Sequence, residues 1–260
     1  MYDLVASVLS FSEAALIAAI LTFARTAAII GMAPGFGEQL VPARVRLGAA
    51  IAFTLIVFPM LDHSGLSGPW PPQRFAGALI AEIAIGLVIG LGFRLLVMAL
   101  QLAGSIAANT TALAQIAGGA VAPDPMPAIG NMLVMAGLAL AIALDLHIKL
   151  IHAIVVSYEI LGFGATVSAG DTASWGVQRA MQSFALAFSL AAPFVVAAFL
   201  YNVALGAINR AMPQLMVAFV GAPAITGATL ILFLLAGPLI LTVWLGTLDQ
   251  VLEDPLRSLR

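Results

Sequence analysis

Residues 75–127 read FAGALIAEIAIGLVIGLGFRLLVMALQLAGSIAANTTALAQIAGGAVAPDPMP, and this stretch decides the fold class. From 75 to 117 it is apolar apart from Glu82, Arg94 and a few amides and hydroxyls. From 117 to 127 it carries Gly118, Gly119, Pro123, Pro125 and Pro127, which make a continuous helix impossible. Backbone that is apolar yet non-helical has unmet hydrogen-bonding groups. At membrane depth it is tolerated only when buried in protein or lining a cavity. The stretch therefore predicts a long membrane-type helix running into an irregular apolar segment.

Composition extends that reading to the whole chain. Of 260 residues, 62% are apolar and 8% charged, with a mean hydropathy of +1.11; globular domains run near ~45–50% and ~25%. So little charge cannot solvate the surface of a soluble globule, and most of the outer surface must meet lipid or apolar protein. The net charge is −2 and the ten basic residues are scattered, which removes the basic patch that nucleic acid needs. With no cysteine there are no disulfides, thiolate metal sites or cysteine nucleophiles. The first twelve residues hold Asp3 and no Lys or Arg, so no signal peptide is expected and the N-terminus is retained.

The apolar runs give the organisation. Residues 14–33, interrupted by Arg25, end at Pro34-Gly35-Phe36-Gly37, and 45–61 form a shorter run. Residues 62–73 (DHSGLSGPWPPQ) are a loop. After 75–117 comes a charge-free run, 126–144, near the ~20 residues a bilayer crossing needs. Asp145, His147 and Lys149 then mark an interface, followed by an amphipathic piece at 150–160 and a polar loop at 162–174. Runs 180–209 and 211–248, separated by Arg210 alone, both exceed one crossing. Pro193 inside the first and Pro213, Pro223 and Pro238 in the second predict kinks or a helical hairpin. The expected architecture is all-α, with kinked, membrane-type helical hairpins in one domain over 1–260 and no internal repeat. Arg44 and Arg46 place their short connection on the cytoplasmic side.

Glu82, Gly86, Gly90 and Arg94 recur every four residues and form one helical stripe, small in the middle and charged at both ends. Gly86 and Gly90 make a GxxxG, which admits a second helix close to the backbone. Twelve residues of helix separate the two charges by ~18 Å, so their partners lie on other elements. A charge at membrane depth costs at least ~2.5–3.5 kcal/mol unless paired or hydrated, and Arg25 falls under the same argument. Two roles fit these charges: structural ion pairs and helix caps inside a bundle, or steps on a proton or ion pathway. Gln101, Ser105 and Asn109 continue the four-residue spacing and suit either interhelical hydrogen bonds or a wet lumen.

Gly65-Leu66-Ser67-Gly68 matches the GxSG of rhomboid-like intramembrane proteases, with His147 and His152 downstream. Here, however, the serine sits in a polar, proline-rich loop, where turn residues need no further explanation. The two histidines, five apart, fall on different helix faces. There is no P-loop, HExxH or dinucleotide fingerprint, so neither an enzyme nor a cofactor is expected. A secondary transporter is the other rival, and it should show an internal repeat.

Taken in order, the polar landmarks resemble the FliR family of flagellar biosynthesis proteins and its virulence-secretion counterparts. Arg25, Ala33-Pro34 and Val41-Pro42-Ala43-Arg44-Val45-Arg46-Leu47 are similar to that family's first helix and Val-Pro-x-Arg-Val loop. Glu82, Gly86, Gly90, Phe93 and Ala103-Gly104 resemble the helix leading into its plug loop, and Asp124-Pro125 resembles its Asp-Pro. Asn202, Leu205-Gly206, Asn209-Arg210, Pro213-Gln214 and Gly221-x-Pro223 look like its Asn-Arg-x-x-Pro-Gln and Gly-x-Pro signatures. This chain departs from the pattern at Asn109-Thr110-Thr111-Ala112 and Gly118-Gly119, and at Asp145-Leu146-His147, where Gly-His is common.

The resemblance implies a subunit of the flagellar type III secretion export gate. Such a subunit joins FliP-like and FliQ-like subunits, works beside FlhB-like and FlhA-like components in the bacterial inner membrane at the flagellar basal body, and passes unfolded substrates. A hole wide enough for a chain would leak ions, so a compliant apolar seal is expected. Its candidates are Leu113, Ile116, Gly118, Gly119, Val121, Asp124 and Pro125. Arg25, Glu82, Gly86, Gly90, Arg94, Arg210, Pro213 and Gln214 are the expected buried-polar or interface residues.

Overall fold

The computed structural model describes residues 2–38, 41–63, 66, 70–116, 128–212 and 217–256, with side chains left out at 2–12, 111–116, 128 and 217–223. Among the described residues the chain is all-α: α1 (Tyr2–Ile30), α2 (Ala43–Val57), a 3-10 turn (Phe58–Met60), α3 (Pro72–Ile116), α4 (Ala128–Ala143), α5 (Leu146–Ile160), α6 (Ala169–Ala211) and α7 (Val217–Glu253). Five helical segments are long and apolar enough to cross a membrane, and α4 with α5 make a bent sixth.

The helix ends follow local chemistry. The first helix stops at Ile30, ahead of the predicted proline break, because Gly31 and the glycines beyond it let the chain turn back on itself. A Cβ on Gly37 would lie 2.8 Å from the Gly31 carbonyl oxygen. Pro42 stands just before α2, where its missing N–H costs nothing, and Pro59 falls in the final 3-10 turn. Pro72 opens α3 for the same reason.

Three expectations change. Of the run predicted at 126–144, Ala128–Ala143 form α4, which with 16 residues is no crossing by itself. It bends by 77° into α5. The elbow holds Asp145 in the left-handed region at φ 61°, a conformation that Asp tolerates better than most residues. Next, the loop predicted at 162–174 is shorter, because α6 begins at Ala169 with Asp171 in its first turn, where a carboxylate complements the helix dipole. Finally, α6 passes through Pro193 as one 43-residue helix, and the break between the two late runs comes after Ala211.

The chain forms two compact units. One comprises Met1–Leu95, Ala141–Arg179 and Leu248–Arg260, and the other Leu96–Leu140 and Ala180–Thr247. Along the chain, α3 runs from the first into the second and α4 with α5 returns; α6 leaves and α7 returns. The first unit is centred on Ile17, Ala18 and Leu21 of α1, Leu66 of the connecting loop and Ala78 of α3. Phe58, Trp70, Phe75, Leu79 and Phe163 pack around them. Leu66 belongs to the GxSG-like loop and is buried in this core, while the Trp70 indole N–H donates to its carbonyl at 2.9 Å. His147 and His152 are exposed.

Candidate functional site

The most constrained chemistry in the first unit is buried where α1, α3 and α5 meet. Arg25 and Glu82 both have no solvent exposure. The Arg25 Nε donates to Glu82 Oε2 at 2.6 Å. Nη1 donates to the Ser157 carbonyl at 3.1 Å and to its Oγ at 3.2 Å. Nη2 donates to the carbonyls of Leu161 at 2.9 Å and Gly162 at 3.5 Å. A guanidinium has five N–H donors, and here each has an acceptor. The carboxylate is equally occupied, since Tyr158 donates its hydroxyl to Oε2 at 3.1 Å and Gly164 its backbone N–H to Oε1 at 2.8 Å. The guanidinium also lies 3.7 Å from the centroid of the Tyr158 ring, a cation–π contact that is strong when desolvated.

Local sequence explains why these groups converge. Ser157 lies in the last turn of α5 and Leu161 and Gly162 just past it, where carbonyls run out of partners within the helix; the Ser157 carbonyl also accepts the Leu161 N–H at 2.9 Å and the Gly162 carbonyl the Ala165 N–H at 3.1 Å. A cation there also faces the negative end of the helix dipole. Arg25 therefore caps α5 from another helix. Gly164 can present its N–H to Glu82 because it sits at φ +67°, and a Cβ there would come within 3.1 Å of Ala78. The Phe163 ring, 4.8 Å from that of Tyr158, closes one side.

The Glu82-Gly86-Gly90-Arg94 stripe docks along α1 and the turn that follows it. A Cβ on Gly86 would lie 2.6 Å from the Arg25 carbonyl oxygen and 2.7 Å from Ala28 Cβ; one on Gly90 would lie 2.9 Å from Met32 Cβ. The two glycines thus let the helices touch backbone to backbone, which holds Arg25 and Glu82 in register. At the far end Arg94 pairs with Glu38 at 2.8 Å, both partly exposed. With every donor and acceptor of the Arg25–Glu82 pair engaged, moving a proton through it means breaking bonds to three elements. A pair bonded in this way can hold α1, α3 and α5 together as a lock.

Other expected residues are placed differently. Arg210 is exposed on this chain, in the last turn of α6, where a cation complements the dipole. Ser105 and Thr110 bond back to carbonyls of their own helix at 3.0 and 2.9 Å, while Gln101 and Asn109 are exposed. Leu113 and Ile116 lie on the last turns of α3, with side chains outside the described residues. Gly118, Gly119, Val121, Asp124, Pro125, Pro213 and Gln214 lie outside the described residues altogether. Sequence reasoning missed Ser157, Tyr158, Gly164 and Glu38 as partners of the membrane-depth charges. The available signal was a serine and a tyrosine side by side in an apolar helix just before a glycine-containing loop.

Comparison with known proteins gives the family. The profile of the family described as "Bacterial export proteins, family 1" matches residues 16–251. A protein named flagellar biosynthetic protein FliR from Caulobacter vibrioides is 38% identical over 244 residues, covering 90% of this chain and 94% of the relative. The FliR of Bacillus subtilis is 27% identical over 247 residues, covering 90% and 91%. That of Escherichia coli is 28% identical over 206 residues, covering 76% of each. A match over this much of the chain, with a relative this similar along nearly its whole length, makes the chain a member of the bacterial export proteins, family 1.

Proposed function

We propose that this chain is a subunit of the flagellar type III secretion export gate, in which it forms part of the channel for unfolded flagellar proteins and is required for flagellum assembly. FliP-like and FliQ-like subunits are its immediate partners, and FlhB-like and FlhA-like components work beside it in the bacterial inner membrane at the flagellar basal body. Its whole length, 1–260, acts as one export-gate domain without enzymatic activity.

One observation carries the reading: the helices are too long, and too apolar on their exposed faces, for a bilayer to cover. At ~1.5 Å per residue, the 45 residues of α3 and 43 of α6 are about 68 and 64 Å long. A bilayer core is ~30 Å thick. Yet large apolar side chains stay exposed along α6 from Val177 at 61% through Phe199 at 65% to Ile208 at 45%, a run of about 47 Å of helix. The apolar surface that lipid cannot reach must be covered by other protein, as expected for one piece of a larger assembly. The FliR relatives supply the identity of that assembly. They favour neither a secondary transporter nor an intramembrane protease.

The seal is assigned to Leu113 and Ile116 on the last turns of α3, with Gly118, Gly119, Val121, Asp124 and Pro125 beyond it. Deleting the gene should abolish filament export and motility, and the tagged chain should co-purify with two smaller hydrophobic proteins. Deleting residues 116–122 should raise ion leakage on expression of the assembled complex. Transport of a small solute by the purified chain alone would overturn the export reading. Unchanged conductance with normal secretion in the deletion would overturn the seal.

A further inference from the structure

The second unit contains a set of contacts that neither the buried ion pair nor the exposed faces use. Gly104 of α3 and Gly130 of α4 meet backbone to backbone: a Cβ on Gly104 would overlap Gly130 Cα and N and lie 3.0 Å from the Ile129 carbonyl carbon. One turn earlier on α3, Leu100 fills the space over Gly137 of α4, where a Cβ would come within 2.7 Å of Leu100 Cδ2 and 3.3 Å of the Trp244 ring. One turn earlier again, the Trp244 Nε1–H of α7 donates to the Leu96 carbonyl at 2.8 Å. Trp244 is fully buried, and Leu133, between the two α4 glycines, is 1% exposed.

Leu96, Leu100 and Gly104 are four apart and lie on one face of α3. Gly130, Leu133 and Gly137 lie on one face of α4. The two faces match in antiparallel order, and Trp244 wedges the end away from the tip. From Gly104, α3 continues twelve residues, about 18 Å, to Ile116; α4 starts only about 3 Å before Gly130, at Ala128. The point at which the chain leaves α3 is thus cantilevered past a backbone contact, and the point at which it re-enters is held almost at that contact.

We infer that Gly104, Gly130 and Trp244 form a clamp that positions the sealing segment by fixing the two helix ends between which it is strung. They are positioning residues and touch no substrate. The inference rests on the seal proposed above, but the clamp itself is built wholly from α3, α4 and α7.

Gly104→Ala forces α3 and α4 apart by about 1–2 Å, since carbon atoms need ~3.5–4.0 Å. Trp244→Phe removes the bond to Leu96 and shrinks the indole to a single phenyl ring, which loosens the wedge over Gly137. Both are compared with wild type in the assembled complex. Three readouts are taken: co-purification of the two smaller subunits, ion leakage on expression, and the distance between spin labels on Asn109→Cys and Asn131→Cys. The chain has no cysteine of its own to interfere. Both label positions are exposed on this chain.

For each variant the clamp predicts normal co-purification, a longer or broader label distance, and leakage raised on the order of tenfold, as when a minor open population grows from ~0.1% to ~1%. Export continues. A changed distance with unchanged leakage overturns the positioning role, as does unchanged distance in both variants. If Gly104→Ala does not assemble, Trp244→Phe decides alone by the same criteria. If deleting 116–122 leaves leakage unchanged, the seal assignment fails and the clamp's positioning role fails with it; if the deletion raises leakage while neither clamp variant does, the clamp fails and the seal stands.

Discussion

Breaking the Arg25–Glu82 lock one side at a time, then both sides together, tests whether these charges are structural. Arg25→Met removes all five guanidinium hydrogen bonds and leaves a fully buried carboxylate with only the Tyr158 hydroxyl and the Gly164 N–H. Removing one partner of a buried pair costs about 3–5 kcal/mol. Glu82→Met leaves a buried guanidinium bonded only to neutral oxygens of Ser157, Leu161 and Gly162 and should cost a similar amount. The double variant has no uncompensated charge. It still strands neutral groups, each at about 1–3 kcal/mol if unsolvated. It should cost no more than the worse single change, a coupling of at least about 3 kcal/mol relative to additivity, where independent sites add within ~0.3–0.5 kcal/mol. The assay is denaturant unfolding of the purified chain in micelles, followed by helical circular dichroism, with steady-state abundance in membranes as a second measure. Additive single effects, or single variants of unchanged stability that have lost export, would refute the lock and point to a role in energy coupling.

Three further outcomes follow from the same geometry. Gly86→Ala puts a methyl group against the Arg25 carbonyl and Ala28 and should destabilise by about 1–3 kcal/mol; Gly237→Ala, with nothing within 4 Å, should be neutral or gain up to about 1 kcal/mol of helix propensity, and unfolding of the two single variants side by side checks both. At the 77° elbow, Asp145→Gly should be neutral to mildly stabilising, whereas Asp145→Val should cost about 1–2 kcal/mol because a β-branched residue resists the left-handed region; thermal melts of the two variants would show the reverse order if the backbone there relaxes. Arg94→Ala, which breaks a partly exposed pair with Glu38, should cost no more than about 1 kcal/mol, and the loss should shrink at high salt in the same unfolding assay.

Much of the fold was legible because its signals are local. Apolar runs mark helices, and Pro42, Pro59 and Pro72 punctuate them where a missing N–H is harmless. The misplaced boundaries have local causes as well. Residues 169–174 are small and polar, so they look like loop, yet those residue types suit a helix's first turn. Pro193 looks like a break, but in a membrane-type helix the freed carbonyl is tolerated and α6 runs on. The elbow at Asp145 is the exception, because nothing in an Asp-Leu-His string announces a left-handed backbone.

The candidate site was half legible. The stripe of Glu82, Gly86, Gly90 and Arg94 declared a helix face with charged ends and a close-packing centre, and cost alone required each charge to have a partner. Which partner was another matter, because Arg25 reaches Glu82 across 57 positions and Ser157 across 132. Burial and hydrogen-bond demand are properties of single residues and their neighbours in the chain, so the sequence by itself determined that this is a helical membrane-type protein with expensive charges to satisfy. Packing of α1 on α3 through two glycines, and of α5 against both, is a three-body geometric outcome. Only the tertiary structure decided that Arg25 caps α5, that Tyr158 and Gly164 complete the carboxylate's shell, and that Trp244 and two facing glycines clamp the second unit.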